Sequence, residues 1–296
     1  MGDPGGERDR ARTLDLLWGT RVPSGLGRKP GLGPEQIVSA GVAVADEGSL
    51  DSLSMRRVAE RLGVGAMSLY RHVRDKAELL DLMVDRVLGE VRYDDGPEGV
   101  GPGGVGPGDG VPDDVGPDDD VPGDRAPGGD VPDGAGASGD TAPWRSRLDR
   151  VARANRALYE RHPWLLSRPE GRPTLGPGVV AKYDAELRAV DGLGLGDVEM
   201  DLVLTLVLGY ARDATASLVA WRSVPESTGQ ADDQWWAEHE PHMTRVLGDR
   251  YALAARVGTA ATSQYGGVHD AERAWEFGLS RILDGIESFV RAGTGR

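Results

Sequence analysis

A proline repeat with a period of five divides this chain into two parts. Prolines occupy every fifth position from Pro97 to Pro132, among residues that are otherwise mostly Gly, Asp and Val. Pro-Gly and Pro-Asp pairs favour isolated turns, and a segment with so few large apolar side chains cannot assemble a core. We therefore predict that residues 93–142 form a disordered acidic linker, with a separate fold on either side.

The acidic charge of the chain is concentrated in this linker. The formal net charge is −14, of which residues 94–142 contribute −12 through thirteen Asp or Glu residues and one Arg. Residues 54–76, in contrast, contain six Arg or Lys residues and only two acidic ones, Glu60 and Asp75. The overall acidity therefore does not exclude nucleic-acid binding, because the positive charge is local. The repeat is either a flexible spacer or an acidic competitor for this basic region.

Apolar residues on both sides of the linker recur with helical spacing, and no segment alternates convincingly with a period of two, so we predict an all-α fold. In the N-terminal part, Pro34 suits the first position of a helix. Ser54 is suited to cap a second helix, and Gly63 ends it. A third, short helix follows over about residues 66–73. We assign this three-helix domain to residues 34–92.

The rest of the chain is interpreted in the same way. Asp75 and Glu78 have the spacing of a capping box, which predicts the start of another helix. Residues 143–292 carry further helical stripes and form a second domain, in which Leu202–Trp221 is apolar on most sides and predicts a central, buried helix. The basic residues within 1–33 stand among Gly and Pro, which indicates a flexible N-terminal arm.

The residue types present exclude several classes of chemistry. The chain has no cysteine, which excludes disulfide frameworks, thiolate nucleophiles and cysteine-ligated metal sites. His239 and His242 flank Pro241, which interrupts helical spacing, so we interpret this stretch as a surface loop and expect no metal and no cofactor. No N-terminal secretory pattern is present, and the apolar run Leu202–Leu208 is too short to cross a bilayer. We therefore expect a cytoplasmic protein without a membrane partner.

Residues 54–73 have the spacing of a helix-turn-helix, in which an amphipathic helix, a tight turn and a second short helix follow one another. Ala59 is small where the two helices would cross, Gly63 suits the turn, and Val64 and Leu69 are placed to fill the space beneath. The remaining side chains of the second helix then face outward, as a helix that lies in the major groove requires. This region therefore predicts DNA binding.

The helix-turn-helix resembles the DNA-binding domain of the tetracycline-repressor (TetR) family in the run SMRRVAERLGVGAMSLYRHVRDKAELLDLM, which starts at Ser54. Its most telling part is Leu69-Tyr70-Arg71-His72-Val73, followed by Lys76 and Leu79-Leu80. The similarity extends over about residues 34–91. A later run that starts at Trp144 and includes His162-Pro163-Trp164 and Gly209-Tyr210 is similar to the tetracycline-repressor-like C-terminal class of that family.

This resemblance implies a set of DNA contacts. Arg56 lies where the family touches a phosphate or a base edge. The positions from which the family reads bases are those of Gly65, Ala66, Met67, Ser68 and Arg71, and the positions that grip the DNA backbone are those of Tyr70, His72 and Lys76. We expect Arg71 and Arg56 to be the main base readers, because an arginine can form two hydrogen bonds with guanine. The alternatives are a solvated helix face for Arg56, a core position for Tyr70 and simple packing for Met67.

The N-terminal arm is a further candidate for DNA contact. Arg28 and Lys29 stand in the stretch GLGRKPGLG, which is rich in Gly. Flexible basic arms of this kind enter the minor groove in homeodomains. The alternative is a polar tail that touches nothing.

For the C-terminal domain the resemblance implies dimerisation and the binding of a small-molecule inducer. Two long helices, about residues 197–221 and 270–291, would pair across a two-fold axis in a homodimer. The two recognition helices would then lie roughly 34 Å apart, which matches a palindromic operator. Aromatic and polar residues of this domain are the candidates for the inducer pocket: Trp144, Asn155, Trp164, Tyr183, Tyr210, Arg212 and Asp213. The alternatives are core packing for each aromatic residue and pairing across the dimer for Arg212 and Asp213.

We therefore predict a ligand-responsive transcriptional regulator, with repression implied by the family, that binds double-stranded operator DNA as a homodimer. Two alternatives stay open. A dimeric DNA-binding protein without a ligand would have a closed and fully packed C-terminal core. An enzyme would need a nucleophile–base pair or a phosphate-binding loop, and no convincing one is present in the sequence.

Overall fold

A computed structural model describes residues 4–19, 32–93, 143–168, 174–247 and 249–293. Every regular element in these ranges is a helix, so the prediction of an all-α fold is confirmed. The proline repeat of the linker lies outside the described residues. So do Arg28 and Lys29, and their assignment to the minor groove stays a prediction.

The N-terminal helices are α1 (Pro4–Leu17), α2 (Pro34–Glu47), α3 (Met55–Leu62), α4 (Ala66–Leu69) and α5 (Lys76–Leu88). The C-terminal helices are α6 (Pro143–Arg161), α7 (Pro177–Leu187), α8 (Asp197–Thr228), α9 (Asp232–Leu247), α10 (Ala252–Tyr265) and α11 (Ala271–Gly293). Short 3₁₀ helices at Pro163–Leu165 and Asp249–Tyr251 follow α6 and α9.

A first apolar core joins α2, α3, α4 and α5. Ile37, Val58, Leu69 and Leu79 are fully buried in it. The same core continues into the C-terminal part of the chain, because Trp164 and its neighbours pack against it. The predicted DNA-binding region is therefore not a free module but shares buried surface with the start of the second domain.

A second apolar core lies between α6, α8 and α11. Leu148 of α6, Val207 of α8, and Trp275 and Leu279 of α11 are each at most 1% exposed. On each helix, further buried residues lie three, four or seven positions from the ones named. One face of each helix therefore points toward the other two helices. These three helices form the body of the C-terminal domain.

Helix α1 contradicts part of the predicted N-terminal arm. The sequence assigns residues 1–33 to a flexible arm, and for Pro4–Leu17 that prediction is wrong. Leu16 and Leu17 pack against the first core. The Thr13 hydroxyl also donates a hydrogen bond to the buried carboxylate of Glu78, at 3.3 Å. The helix is ordered by these tertiary contacts, which the polar composition of the segment does not reveal.

Helix α8 is less buried than its sequence indicates. Val203 and Val207 face the second core, but Leu202 and Leu206 are 60% and 52% exposed, so the prediction of a helix buried on most sides is wrong for the single chain.

By length and composition alone, α8 is also the one described helix long and apolar enough to cross a membrane. The short apolar run Leu202–Leu208, which Thr205 interrupts, does not predict this. The apolar composition is accounted for by two faces, one in the core and one on the surface.

The His239–His242 stretch is helical rather than a surface loop. It lies within α9, where Pro241 stands inside the helix. The imidazole of His239 stacks on Trp235, with ring centroids 4.0 Å apart. The loop prediction is therefore wrong. A proline removes one backbone donor, and α9, which has no buried residue, leaves the carbonyl that loses its partner open to water. The described part of the chain contains no group of three or more His, Cys, Asp or Glu side chains arranged to hold a metal.

Candidate nucleic-acid interface and effector region

The turn between α3 and α4 is built as the helix-turn-helix pattern predicts. Ser54 caps α3 and accepts a hydrogen bond from the Arg57 backbone N–H at 3.2 Å. Gly63 ends α3 in the left-handed conformation, with φ of +65°, and its N–H donates to the carbonyls of Ala59 and Glu60. The Val64 N–H also donates to Ala59. Four backbone groups are thus satisfied within the turn, which fixes the angle between the two helices.

Replacing Gly63 by alanine is expected to lower the free energy of unfolding by about 1–2 kcal/mol, because an L-residue loses roughly that much in the left-handed region. A Cβ at this position would meet no described atom within 4 Å, so the loss is conformational rather than steric. Gly65→Ala is the matched control, since Gly65 has a φ of −73° and equally open surroundings. Urea denaturation of both variants measures the difference. Equal losses at the two positions would contradict this account of the turn.

Helix α4 presents the predicted recognition side chains to solvent. Leu69 and Val73 point inward and are fully buried, whereas Met67 is 75% exposed and Tyr70 is 44% exposed. Arg71 is exposed as well. The helix itself ends at Leu69, four residues earlier than predicted, and the chain continues in turns. Gly65 is exposed, while Ala66, Ser68 and His72 are half-buried at the edge of the same surface.

Not all of the positive charge in this region is equally available to DNA. The Arg56 side chain is 86% exposed but forms an ion pair with Glu60, one helical turn away, at 2.8 Å. The Lys76 ammonium donates to the Leu50 carbonyl at 3.1 Å. Arg71, in contrast, makes no hydrogen bond or ion pair with the described residues. No contact within the described part of the chain therefore holds its guanidinium back from the surface.

The start of α5 only half matches the predicted capping box. Asp75 caps the helix and accepts from the Glu78 N–H at 2.8 Å. A complete capping box would have the Glu78 carboxylate accept from the Asp75 backbone N–H. Here it accepts from the Arg74 backbone N–H instead, at 2.5 Å. Because Glu78 is 1% exposed beneath α1, its position is set by tertiary packing rather than by the local motif. The cap contacts of Asp75 lower the pKa of its carboxyl, with the bond from Glu78 as the largest cause.

The aromatic candidates for the inducer pocket do not share one enclosure. Trp144 lies in the second core, whereas Trp164 lies in the first core and donates from its indole N–H to Asp46 at 2.8 Å. Tyr183 is 42% exposed, and its hydroxyl bonds to Asp201. The Tyr210 hydroxyl donates to backbone carbonyls of α11. Each of the four aromatic side chains thus has a packing or hydrogen-bonding role within the fold.

The polar candidates are differently placed. Arg212 is half-buried and donates to the Leu166 carbonyl at 3.4 Å, while Asp213 is exposed. Asn155 is fully buried, and its side-chain amide N–H groups donate to Glu186 at 2.7 Å and to the Val151 carbonyl at 2.9 Å. These two bonds fix which end of the amide is the oxygen. That oxygen is buried and has no hydrogen-bond partner among the described residues.

Asn155 belongs to a buried polar cluster that the sequence reasoning missed. The Glu186 carboxylate, 1% exposed, also accepts from Lys182 and from the Tyr93 hydroxyl, both at 2.5 Å. Burial, with Glu186 as the second cause, raises the pKa of Tyr93 above its ordinary range, so the phenol stays protonated. The spacing of Lys182 and Glu186, four residues apart in α7, is a signal that indicates a helical ion pair. Nothing in the sequence indicates that the pair is buried.

Comparison with known proteins places the chain in a family. Residues 37–83 match the bacterial regulatory proteins of the tetR family, and residues 137–290 match the tetracyclin repressor-like C-terminal domain. A transcriptional repressor of Streptomyces coeruleorubidus, DrrR1, is 35% identical over 98% of this chain and 90% of its own length. This chain belongs to the TetR family of transcriptional regulators.

More distant relatives agree with this assignment. A transcriptional regulator of Saccharopolyspora erythraea is 27% identical over 67% of this chain and 66% of its own length. The crystal structure of ActR from Streptomyces coelicolor in complex with actinorhodin has a TM-score of 0.59 and 20% identity, and covers 90% of this chain and 100% of ActR. That structural likeness shows the shared fold.

Proposed function

We propose that this chain is a homodimeric repressor that binds a palindromic operator and is released from it by a small molecule, in the cytoplasm. The observation that carries the proposal is the surface of α4. Leu69 of α4 is fully buried, while Met67 on α4 and Tyr70 and Arg71 just after it are exposed. A short helix followed by an exposed arginine that has no partner among the described residues fits the major groove, where arginine bonds to guanine.

An exposed apolar face on the C-terminal domain supports the homodimer. An apolar groove of about 310 Å³ lies between α8 and α11, and its walls include Leu202, Leu206, Ile282 and Phe289. Val198 and Phe277, on the same two helices, are 72% and 68% exposed. Apolar surface of this extent marks an interaction site on a soluble chain. Because both helices are long and adjacent, a second copy would cover the face as a four-helix bundle about a two-fold axis.

The polar cluster around Asn155 supports the binding of a small molecule. The carbonyl oxygen of Asn155 is buried and has no hydrogen-bond donor among the described residues, and leaving a buried acceptor without a donor is costly. A ligand that donates an O–H or N–H group there would remove this cost. The ActR complex with actinorhodin provides a precedent for a ligand in a protein of this fold. A ligand that prefers one conformer of the C-terminal domain would shift the protein away from the DNA-bound conformer.

Selection of binding sites from a random duplex library at two salt concentrations tests this proposal. We expect an inverted repeat to be enriched at both concentrations, with an affinity that falls as salt rises because Lys and Arg side chains displace counterions. The selected duplex then serves as the probe for inducer screens. Binding that depends on salt but not on sequence would contradict the proposal, since it would show phosphate contacts without base reading.

A further inference from the structure

Two of the three arginines of α3 are held by a terminal nitrogen of the guanidinium. The Arg61 Nη1 donates to the Glu47 carboxylate at 2.7 Å, and the Arg57 Nη1 donates to the Ser52 carbonyl at 3.3 Å. A guanidinium recognises a flat pair of acceptors through two parallel N–H groups, and a bond at a terminal nitrogen occupies part of that edge. These two side chains are therefore poorly placed to read a base.

The third arginine, Arg56, is held by its inner nitrogen instead. Its Nε donates to the Glu60 carboxylate at 2.8 Å. Among the described residues, nothing else bonds to this guanidinium, and the carboxylate accepts from no other group. The Arg56 side chain is 86% exposed. Both terminal nitrogens are therefore left without a bond in the described part of the chain, although the side chain itself is held.

The order of the two residues along α3 does not favour the stability of the helix. Arg56 is the second residue of α3, and Glu60 follows one turn later. A cation in the first turn opposes the helix dipole, and a pair stabilises a helix better when the acidic residue comes first. An exposed pair also contributes little in any order. The stability of α3 therefore does not account for this contact.

A carboxylate on Nε suits an arginine that reads a base. Guanine offers O6 and N7 as neighbouring acceptors, which match two N–H groups of one guanidinium edge. A long side chain that is already held loses less conformational entropy when it binds. A DNA phosphate, in contrast, is repelled by the Glu60 carboxylate and gains less from a charge that is already paired. The pair thus favours a base edge over a phosphate.

We propose that Glu60 is a positioning residue that holds Arg56 for contact with a guanine and thereby determines operator specificity at that base pair. The proposal rests on the proposed function, because it takes the surface of α3 and α4 to face DNA. Arg71 has no such support among the described residues. Loss of Glu60 should therefore affect the base pair read by Arg56 and spare the one read by Arg71.

Binding of the full-length protein to single-base variants of the selected operator tests this role. The base pair read by Arg56 is the one at which Arg56→Ala no longer discriminates. We expect Glu60→Ala to lower discrimination at that base pair by about three- to tenfold, the effect of one lost interaction between neighbouring residues. Its binding to a duplex without the inverted repeat should tighten by about two- to fivefold, because a negative charge near the phosphates is gone. The salt dependence should become steeper, by up to about one counterion per chain.

Two further variants separate position from charge. Glu60→Gln keeps an acceptor for the Arg56 Nε but loses the charge. It should therefore bind the unrelated duplex as tightly as Glu60→Ala does while it keeps most of the discrimination. Asp184→Asn is the matched control, because Asp184 pairs with Arg188 one turn away on α7 at 2.6 Å and is 63% exposed, compared with 58% for Glu60. This variant should change neither quantity.

The effect of Glu60→Ala on discrimination must depend on Arg56. In the Arg56→Ala background, Glu60→Ala should cause no further loss, as for two residues that act as one unit. A further loss in the double variant would overturn the positioning role. Parental discrimination in Glu60→Ala, with native circular dichroism, would overturn it as well.

NMR relaxation of the arginine Nε–H groups tests the contact without DNA. The Arg56 signal is identified by its absence in Arg56→Ala. In the free protein we expect the Arg56 Nε–H to be more ordered than that of Arg71, and we expect Glu60→Ala to abolish the difference. Equal order of the two groups in the parent would overturn the proposal. If the parent shows no sequence preference, the proposed function fails, while this measurement still decides whether Glu60 holds Arg56.

Discussion

Replacing Arg71 by alanine should weaken binding to the selected operator by about tenfold to a hundredfold, the equivalent of 1–3 kcal/mol for a lost bidentate contact with guanine. The melting temperature should not change, because the side chain is exposed and has no partner in the part of the chain that the structure describes. The loss should also be specific. Sequences that differ only at the base pair read by Arg71 should become equally good binders for the variant. Fluorescence anisotropy on the operator and on its single-base variants measures both effects.

Arg188→Ala controls for the loss of one positive charge. Arg188 is an exposed arginine at the end of α7 and is paired with Asp184 at 2.6 Å. Its removal should leave operator affinity unchanged at moderate salt, since the charge lies far along the chain from α4 and is screened. An equal loss of affinity in the two variants would show that total charge matters rather than base reading. An unchanged affinity in Arg71→Ala would remove Arg71 from the interface.

Placing a charge in the exposed apolar face should have the largest effect of all. Leu206→Glu puts a carboxylate into the groove between α8 and α11. A two-fold axis would bring in two such charges per dimer, and burying an unpaired charge is very unfavourable. We expect the dimer dissociation constant to rise by at least about a hundredfold. Operator affinity should fall with it, because a monomer binds only one half-site.

Val257→Glu is the matched control for this substitution. Val257 is 51% exposed on α10, compared with 52% for Leu206, so the two variants add the same charge at equally exposed apolar positions. Sedimentation velocity over a range of concentrations measures the oligomeric state of both. We expect a dimer for Val257→Glu and a monomer for Leu206→Glu. A dimer in both variants would place the interface elsewhere, and dissociation in both would mean that the interface extends over α10.

Helices with one strong stripe and a local stop signal were predictable from sequence. Helix α3 is the clearest case, because Ser54 and Gly63 provide both its caps and the stripe between them faces the first core. Helix α1 was not predictable, because its order comes from contacts made by Thr13 and Trp18 with distant parts of the chain. A local pattern cannot indicate a partner that lies more than sixty residues away.

The type of a residue also did not predict correctly how deeply its side chain is buried. Tyr183 and Trp164 look alike as candidates for a pocket, yet Tyr183 is 42% exposed and Trp164 is 2% exposed in the first core. Glu186, which looks like a surface residue, is 1% exposed. Periodicity identifies the inner face of a helix, but it does not say which of two cores that face enters. The candidate DNA surface was predicted more fully because its residues are close together in the sequence.

Hydroxyl-radical footprinting of the selected operator tests most directly the claim that two copies of α4 read DNA about a two-fold axis. We expect two protected regions on one face of the duplex, with centres about one helical turn apart and related by the two-fold axis at the centre of the inverted repeat. Both should disappear together in Leu206→Glu. A single protected region, or protection without a fixed phase along the duplex, would contradict the claim.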